Sequence, residues 1–426
     1  MLDIAIVEGV RTPFAKAFGP LAGLPAQELG RQATKALMER SGIKPDQVDQ
    51  VVFGNVALPP EAANIARVIA LMAGIPEDRI AHTVQRNCAS GMEAITTAAR
   101  LIQLGEAQTI IAGGTESMSQ IPLLYTPEAT DRFLGLAKSK GWWQRVKAMS
   151  KFRPRHFKPV PGIKLGLTDP VSGLIMGETA EVLAEDFHIT RQQQDEFALE
   201  SHKKAVAAQN KCVFNDEIAP IPASAECPEV KKDVGPRADQ TMQALGKLKP
   251  YFKANGTVTV GNSCMITDGA AAALVMSGEK ARAEGRSVLG YLRDYAYAGL
   301  DPRRMGLGPI FATKKLFDRA GISLKDIELI EMNEAFAAQV IANEIAFASD
   351  QFAKEHMGRN QKLGEIDPAR LNVNGGAIAL GHPVGATGTR IAITLLREMK
   401  RRGMKRGLAT LCVGGGQGGA LLLETA

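Results

Sequence analysis

Cys88 stands in Asn87-Cys88-Ala89-Ser90-Gly91, directly ahead of a helical pattern that runs from Met92 to Leu104. A sulfur so placed faces the positive end of a helix dipole, which favours the nucleophilic thiolate. A free thiol, with a pKa of about 8.5, is only a few per cent ionised near neutral pH, so a neighbouring base would add to what the dipole does. The competing role is a buried, inert cysteine. His382 lies between Gly381 and Pro383, with Gly375, Gly376, Gly385 and Gly388 around it, the most constrained setting of the six histidines. Such a setting holds a side chain rigidly close to backbone, which suits a base and equally a hydrogen-bonded histidine in a tight turn. Cys412 ends an apolar stretch from Gly407 to Leu411 and opens Val413-Gly414-Gly415-Gly416-Gln417-Gly418-Gly419. Its thiol therefore emerges where a strand gives way to a glycine loop, a place where α/β sheets receive ligands. Gly414, Gly416 and Gly419 also match G-x-G-x-x-G, but Ala420-Leu421-Leu422-Leu423 continues as strand where the dinucleotide fold needs a helix. The glycines are better read as letting backbone N–H groups approach a developing oxyanion. Asn333-Glu334-Ala335-Phe336 closes one strand and starts a helix, so N-capping is a sufficient role for Asn333 taken alone.

The elements around these residues recur. Val51 to Asn55 reads as a strand, followed by Cys88-Ala89-Ser90-Gly91, a helix from Met92 to Leu104, and the strand Thr109 to Ala112 ending in Gly113-Gly114. Glu328 to Met332 is followed in the same way by Gly381-His382-Pro383, a helix from Thr387 to Arg402, and the strand Leu408 to Leu411 ending in Gly414-Gly415-Gly416. Buried apolar strands alternating with helices predict an α/β fold with sheets covered on both faces, built from two similar halves. Residues 1–118 and 252–278 form the expected N-terminal half and 279–426 the C-terminal half. Residues 119–251 form an inserted loop domain with an amphipathic helix at Arg191 to Gln209. Gly256 to Asn262 is expected to return to the first core as a strand ahead of the small-residue run Asp268 to Ala273, and Asp350 to Asp367 to be surface loop.

At 426 residues the chain has room for two or three packed units, and 45% hydrophobic with 23% charged residues is the balance of a soluble globular enzyme. No apolar run reaches about 18 residues, and Met1 to Val10 carries Asp3 and Glu8, so neither a membrane span nor a signal peptide is expected and the chain is placed in the cytoplasm. Five cysteines at wide, irregular spacing, with no C-x-x-C, argue against disulfides and against a metal. The formal charge of +6 is local, because ten Lys or Arg and no Asp or Glu lie between Arg132 and Lys164. Without that segment the chain carries a formal −4.

Cys88-Ala89-Ser90-Gly91, Asn333-Glu334-Ala335-Phe336, Gly381-His382-Pro383 and Cys412-Val413-Gly414-Gly415-Gly416-Gln417-Gly418 together resemble, in this order, the thiolase family. Glu8-Gly9-Val10-Arg11-Thr12-Pro13-Phe14 and Gly113-Gly114-Thr115-Glu116-Ser117-Met118 are also similar to it, and the resemblance covers nearly the whole chain. It implies a duplicated five-layered α-β-α-β-α core with an inserted loop domain. Carried over residue by residue, it implies that His382 takes the proton of Cys88, whose sulfur attacks the 3-keto carbon of a 3-ketoacyl-CoA. Cys412 then protonates the acetyl-CoA enolate and deprotonates incoming CoA. One oxyanion hole is implied to use His382 and a water held by Asn333, the other the backbone N–H groups of Cys88 and Gly414. CoA is a substrate, and no cofactor is implied. Where many thiolases carry a serine near CoA at the end of a stretch here written Gly261-Asn262-Ser263-Cys264, this chain has Cys264. Ser263 and Cys264 are thus the candidate CoA contacts, with Cys264 itself read as structural.

At 100° per residue, Leu136, Trp142, Trp143, Val146 and Met149 fall in one arc, with Lys140, Arg145, Lys147 and Lys151 outside it. This predicts one basic amphipathic helix suited to an anionic membrane surface, with Trp142, Trp143, Arg145 and Lys147 as membrane or partner contacts. The alternative is a helix packed on its own protein, its charges solvated or facing CoA phosphates. A nucleic-acid role finds no accompanying motif. The insert, with Arg155-His156-Phe157-Lys158-Pro159 and Gly166-Leu167-Thr168-Asp169-Pro170, is similar to the thiolase subunit of the multienzyme fatty-acid oxidation complex. That similarity implies medium- to long-chain substrates in β-oxidation, a homodimer core, a hetero-oligomer with an α subunit carrying hydratase and dehydrogenase activities, and peripheral contact with the inner membrane surface. A biosynthetic acetoacetyl-CoA thiolase and a non-catalytic acyl-CoA or lipid-binding protein are the other functions weighed.

Overall fold

The computed structural model describes residues 3–426. The first half runs β1 (Ile4–Arg11), β2 (Ala15–Lys16), α1 (Ala26–Ser41), β3 (Gln50–Gly54), α2 (Ile65–Met72), β4 (Ile80–Val84), α3 (Ser90–Gln103) and β5 (Thr109–Ser117). An excursion follows through β6 (Leu123–Leu124), α4 (Pro127–Ala137), α5 (Trp142–Met149), β7 (Val160–Pro161), α6 (Gly162–Gly166), α7 (Met176–Asp186), α8 (Arg191–Asn210) and α9 (Met242–Gly246). The chain returns as β8 (Thr267–Ser277) and α10 (Gly278–Ala283). The second half is β9 (Gly290–Gly299), α11 (Gly308–Ala320), β10 (Leu329–Met332), α12 (Ala337–Phe347), α13 (Asp350–His356), α14 (Ala377–Leu380), α15 (Val384–Arg402) and the hairpin β11 (Arg406–Val413) to β12 (Gln417–Glu424).

The strands order as β10-β11-β12-β9-β1-β8-β5-β3-β4, with β2 beside β8. Within this order β3-β5-β8-β1 and β10-β11-β12-β9 have the same sequence of one parallel and two antiparallel pairings, which is the expected duplication. The halves join edge to edge where Ile4 to Ile6 pair with Leu292 to Gly290. Side chains alternate between layers along each strand. On β3, Val51 and Phe53 meet Leu29, Leu37 and Ile65 of α1 and α2, while Val52 faces Met92, Ile95, Ile391 and Leu395 of α3 and α15. On the far side, Ile330, Leu408 and Leu422 meet Ile310, Leu316 and Val340 of α11 and α12. Helix, sheet, helix, sheet, helix gives five layers.

Three expectations are corrected. The returning strand is the small-residue run itself, β8, buried along its whole length. Gly256 to Asn262 makes no ladder, because the Glu181 carboxylate takes the N–H groups of Thr257 and Val258, and Asn262 Oδ1 that of Thr259. The single amphipathic helix is broken after Ala137, and α5 starts afresh from Gly141, so Leu136 does not share a helix with the tryptophans. Phe133 of α4 packs against Tyr125, Phe152 and Phe157 at centroid distances of 5.1, 5.1 and 5.9 Å. Trp142 and Trp143 are instead 71% and 80% exposed. The stretch from Asp350 contains α13, and Phe352, Met357, Leu363 and Ile366 join the core of the second half rather than lying on the surface.

The excursion is tied back to the first strand through charge. Arg11, fully buried, donates to Glu217 at 2.7 Å and to both carboxylate oxygens of Asp233 at 2.6 and 2.8 Å. Among the described residues no helix is long and apolar enough to cross a membrane.

Candidate functional site

The residue ahead of Cys88 sets its geometry. Asn87 has φ 44°, a left-handed conformation that asparagine tolerates better than most residues, and its Nδ2 donates to the Gly414 carbonyl at 2.7 Å. Ser90 Oγ closes the turn by donating to the Asn87 carbonyl and accepting from Arg86 N. Cys88 thus sits one residue before the N-cap, Ala89, of α3. The backbone N–H groups of Gly414 and of Cys88 reach its sulfur and stabilise the thiolate, but burial outweighs them, and the Glu116 carboxylate adds to the rise. The thiol pKa lies above its ordinary value, the reverse of the dipole expectation, because removal from water penalises the anion more than a helix end relieves it. Cys88 rests as a thiol that needs a base.

His382, the residue expected to act as that base, is held from both sides. Its backbone N–H donates to Thr267 Oγ1 at 3.0 Å, and Nδ1 lies 2.6 Å from Thr387 Oγ1. Since the Thr387 hydroxyl donates back to the Pro383 carbonyl at 3.1 Å, it accepts from Nδ1–H, which assigns the lone pair to Nε2. Nε2 is buried with no hydrogen-bond partner. Burial, helped by the Arg390 charge, pushes the imidazole pKa down to about 3, so His382 is a free base at neutral pH.

Asn333 is not an N-cap. That position belongs to Phe336, ahead of α12. The Asn333 backbone N–H donates to the Thr410 carbonyl at 3.0 Å, while Oδ1 and Nδ2 are both buried and unpartnered. A buried polar atom left unpaired costs about 1–3 kcal/mol, so both atoms of this amide are free to hold a water or a polar group of a ligand. Glu334 is structural instead. Its carboxylate accepts from Ser201 Oγ at 2.6 Å, Asn372 Nδ2 at 2.9 Å and Ile378 N at 3.2 Å, tying α8 and α14 to the end of β10.

Cys412 is buried near the end of β11, opposite Gly418. Burial, then the nearby sulfurs of Cys88 and Cys264, carry its pKa well above the usual thiol value. The Cys264 thiol is pushed up to about 12 by burial and then by Cys88. The three thiols therefore lie within electrostatic reach of one another, Cys264 among them. Ser263 does not offer its hydroxyl, which is buried and donates to the Thr259 carbonyl at 2.7 Å. Trp142, Trp143, Arg145 and Lys147 lie apart on α5, which packs on α4 and has no buried residue.

The helices bring the two loops together. Thr389 Oγ1 of α15 donates to the Gly91 carbonyl of α3 at 3.0 Å. A Cβ on Gly388 would run into the backbone nitrogen of Met92. Both helices therefore point their first turns at the same place, Cys88 ahead of one and His382 ahead of the other. Glu116 fixes this meeting point, and sequence reasoning gave it no role. Its carboxylate accepts from Val56 N, Ala57 N and Asn55 Nδ2 in one half and from Gly385 N in the other, at 2.9 to 3.1 Å. Burial raises its pKa to about 7. Its sequence signals are a carboxylate inside a small-residue strand and its place in the family-like stretch Gly113 to Met118. The assembly has the parts for acyl transfer: a thiol, an imidazole base, N–H groups at the sulfur, a second thiol and an unpaired amide.

Residues 4–279 match the family model described as "Thiolase, N-terminal domain", and residues 286–425 that described as "Thiolase, C-terminal domain". The sequence is 43% identical over 425 residues to the 3-ketoacyl-CoA thiolase of Yersinia enterocolitica, covering 99% of this chain and 96% of that one. It is 42% identical over 423 residues, with the same coverage, to the protein so named from Erwinia tasmaniensis. Among solved structures, the Bacillus anthracis acetyl-CoA acetyltransferase is similar at TM-score 0.88 and 38% identity, covering 100% of this chain and 99% of that one. Human mitochondrial 3-ketoacyl-CoA thiolase in complex with CoA is similar at TM-score 0.86 and 34% identity, covering 100% and 98%.

Proposed function

The chain belongs to the thiolase family, and from that premise we propose that it cleaves medium- to long-chain 3-ketoacyl-CoA with CoA, giving acetyl-CoA and a shortened acyl-CoA. The observation that carries the reading is the pair of unpartnered groups, His382 Nε2 and the Asn333 amide, in the site of the three thiols. His382 Nε2 takes the Cys88 proton as the sulfur bonds to the 3-keto carbon. The bond between C2 and C3 then breaks, its electron pair passes to C2, and the resulting acetyl-CoA enolate takes a proton from Cys412. In the second half Cys412 removes the thiol proton of CoA, the CoA sulfur attacks the thioester, and Cys88 leaves to recover its proton from His382. The N–H groups of Cys88 and Gly414 receive the thioester oxyanion, and His382 with a water on Asn333 the enolate oxygen. Removing one such donor typically costs about 100-fold or more.

Mass spectrometry after mixing with a long-chain 3-ketoacyl-CoA tests this. An acyl adduct on Cys88 is expected, and full activity of Cys88→Ala would sink the reading. Likeness to an acetyl-CoA acetyltransferase supports a second one, biosynthetic condensation on short chains. A kcat/KM series over chain length separates the two, since a sharp optimum at acetoacetyl-CoA favours condensation. A non-catalytic acyl-CoA carrier predicts no adduct at any chain length.

The cytoplasm remains the proposed location, with an α subunit carrying hydratase and dehydrogenase activities as hetero-oligomeric partner. A homodimer is supported by β4, which ends the sheet and leaves one edge unpaired. The exposed Trp142 and Trp143 beside Arg145 and Lys147 support contact with an anionic membrane surface. Vesicles with anionic lipid should retain the protein more than neutral ones. Equal retention, unaffected by replacing both tryptophans, removes the membrane contact.

A further inference from the structure

Two buried polar side chains behind the site take no part in these steps. Arg390 on α15 donates from Nη1 to Glu331 Oε2 on β10 at 3.1 Å, and each side chain is 1% exposed. The pairing is incomplete, since Arg390 Nε and Glu331 Oε1 are both buried without a partner. Burial pushes the Glu331 carboxyl up to about 8 despite the Arg390 charge, so the pair is a poor stabiliser, and apolar residues of similar volume often serve as well. Its position in the fold is more telling. Glu331 precedes Asn333 by two residues, and Arg390 lies about one helical turn beyond Thr387, the residue that holds His382 Nδ1.

We propose that Arg390 and Glu331 are positioning residues of the reaction, a buried tie that fixes the strand ending at Asn333 against the helix that supports His382. The proposal rests on the thiolase reading, in which Asn333 and His382 act on one oxygen. Two groups sharing an oxygen must keep their spacing closely, and a misplacement of about 1 Å can cost on the order of 100-fold in rate. β10 and α15 are separate elements, with the tied residues 59 positions apart in the sequence, and the tie joins them from behind the site. The guanidinium charge also helps burial keep His382 unprotonated.

The test compares Glu331→Gln, Arg390→Lys and the volume-matched double variant Arg390→Met/Glu331→Met in the full chain. Glu331→Gln keeps the acceptor and the shape and should retain most of kcat. Arg390→Lys keeps the charge but loses the planar fork and should fall between the others. The double variant should unfold within a few degrees of wild type, yet lose at least about tenfold in kcat with KM nearly unchanged. If it does not fold, the two single variants decide, because only a tie separates them in kcat at constant KM. Native kcat in Arg390→Lys or in a folded double variant overturns the proposal, as does a kcat loss that follows the drop in melting temperature across the series. Wild-type protein that shows neither thiolysis nor an adduct on Cys88 would overturn the thiolase reading instead.

Discussion

Asn87 grips Gly414 from across the chain: its Nδ2 donates to the Gly414 carbonyl at 2.7 Å, while the Gly414 N–H reaches the sulfur of Cys88. One side chain thereby sets both the turn that holds the nucleophile and the loop that supplies its N–H. Asn87→Gly preserves the φ of 44° and removes the clamp. It should lower kcat about tenfold or more through a looser oxyanion site. Asn87→Ala should do the same and lose about 1 kcal/mol of stability besides, from backbone strain. Steady-state kinetics beside thermal melts separate these effects, and native kcat in Asn87→Gly would remove the clamp from the mechanism.

The depressed His382 pKa links stability to pH. An unfolded histidine titrates near about 6.5, and the folded one at about 3. Below the higher value the unfolded chain therefore binds the extra proton, and stability is lost as pH falls toward the lower one. Well inside that window each unit costs about 1.4 kcal/mol, and the loss between pH 6.5 and 4.5 comes to about 2 kcal/mol. His382→Gln lacks this term. Its melting temperature should fall less than that of wild type between pH 7 and 4.5, while the other titrating groups largely cancel in the comparison. Parallel falls would show that His382 is not held neutral.

Alkylation should rank the cysteines by exposure and ionisation. Cys212 is exposed, Cys88 is half-buried, and Cys227, Cys264 and Cys412 are covered or held as thiols. Iodoacetamide at pH 8 should therefore label Cys212 first and Cys88 second, with Cys88 labelling matching the loss of activity. Peptide mapping that found Cys264 modified ahead of Cys88 would contradict the burial that raises its pKa.

The strand, glycine turn, helix and strand of each half are legible because long apolar runs broken by glycine leave little choice of element, and α3, α15 and β11 lie close to their expected bounds, whereas β5 runs through Gly113-Gly114 to Ser117, five residues past its expected end, because those residues pair with β8. β8 is hidden because alanine has little strand propensity. Only burial between β1 and β5, with helices on both faces, makes a run of alanines a strand. Thr257 to Val260 mislead in the opposite way, since the alternation of Thr and Val resembles a strand while side-chain carboxylate and amide groups occupy its N–H groups. The residues proposed to react announce themselves by motif. Their supports do not, because Glu116 and Gly385 are 269 residues apart and Thr267 and His382 are 115 apart, and no local pattern predicts such partners.

The crossing of α3 and α15 offers the sharpest test of how the halves cooperate. Gly388 has no side chain where the backbone of Met92 passes, and Gly91 lies against Thr389 and the Gly385 carbonyl in the same way. A methyl group on Gly388 meets backbone, which cannot rotate aside as a flexible side chain would, so the helices must separate. Overpacking of this kind costs about 1–3 kcal/mol, which a large core can absorb. The catalytic cost should be larger, because separation moves Cys88 and His382 apart and a base displaced by about 1 Å loses on the order of 100-fold. Gly388→Ala should therefore remain folded, bind CoA with little change, and form the Cys88 adduct at least about 100 times more slowly. Stopped-flow acylation with a long-chain 3-ketoacyl-CoA measures this directly. A variant that acylated at the native rate would mean that the helix crossing does not set the distance between nucleophile and base.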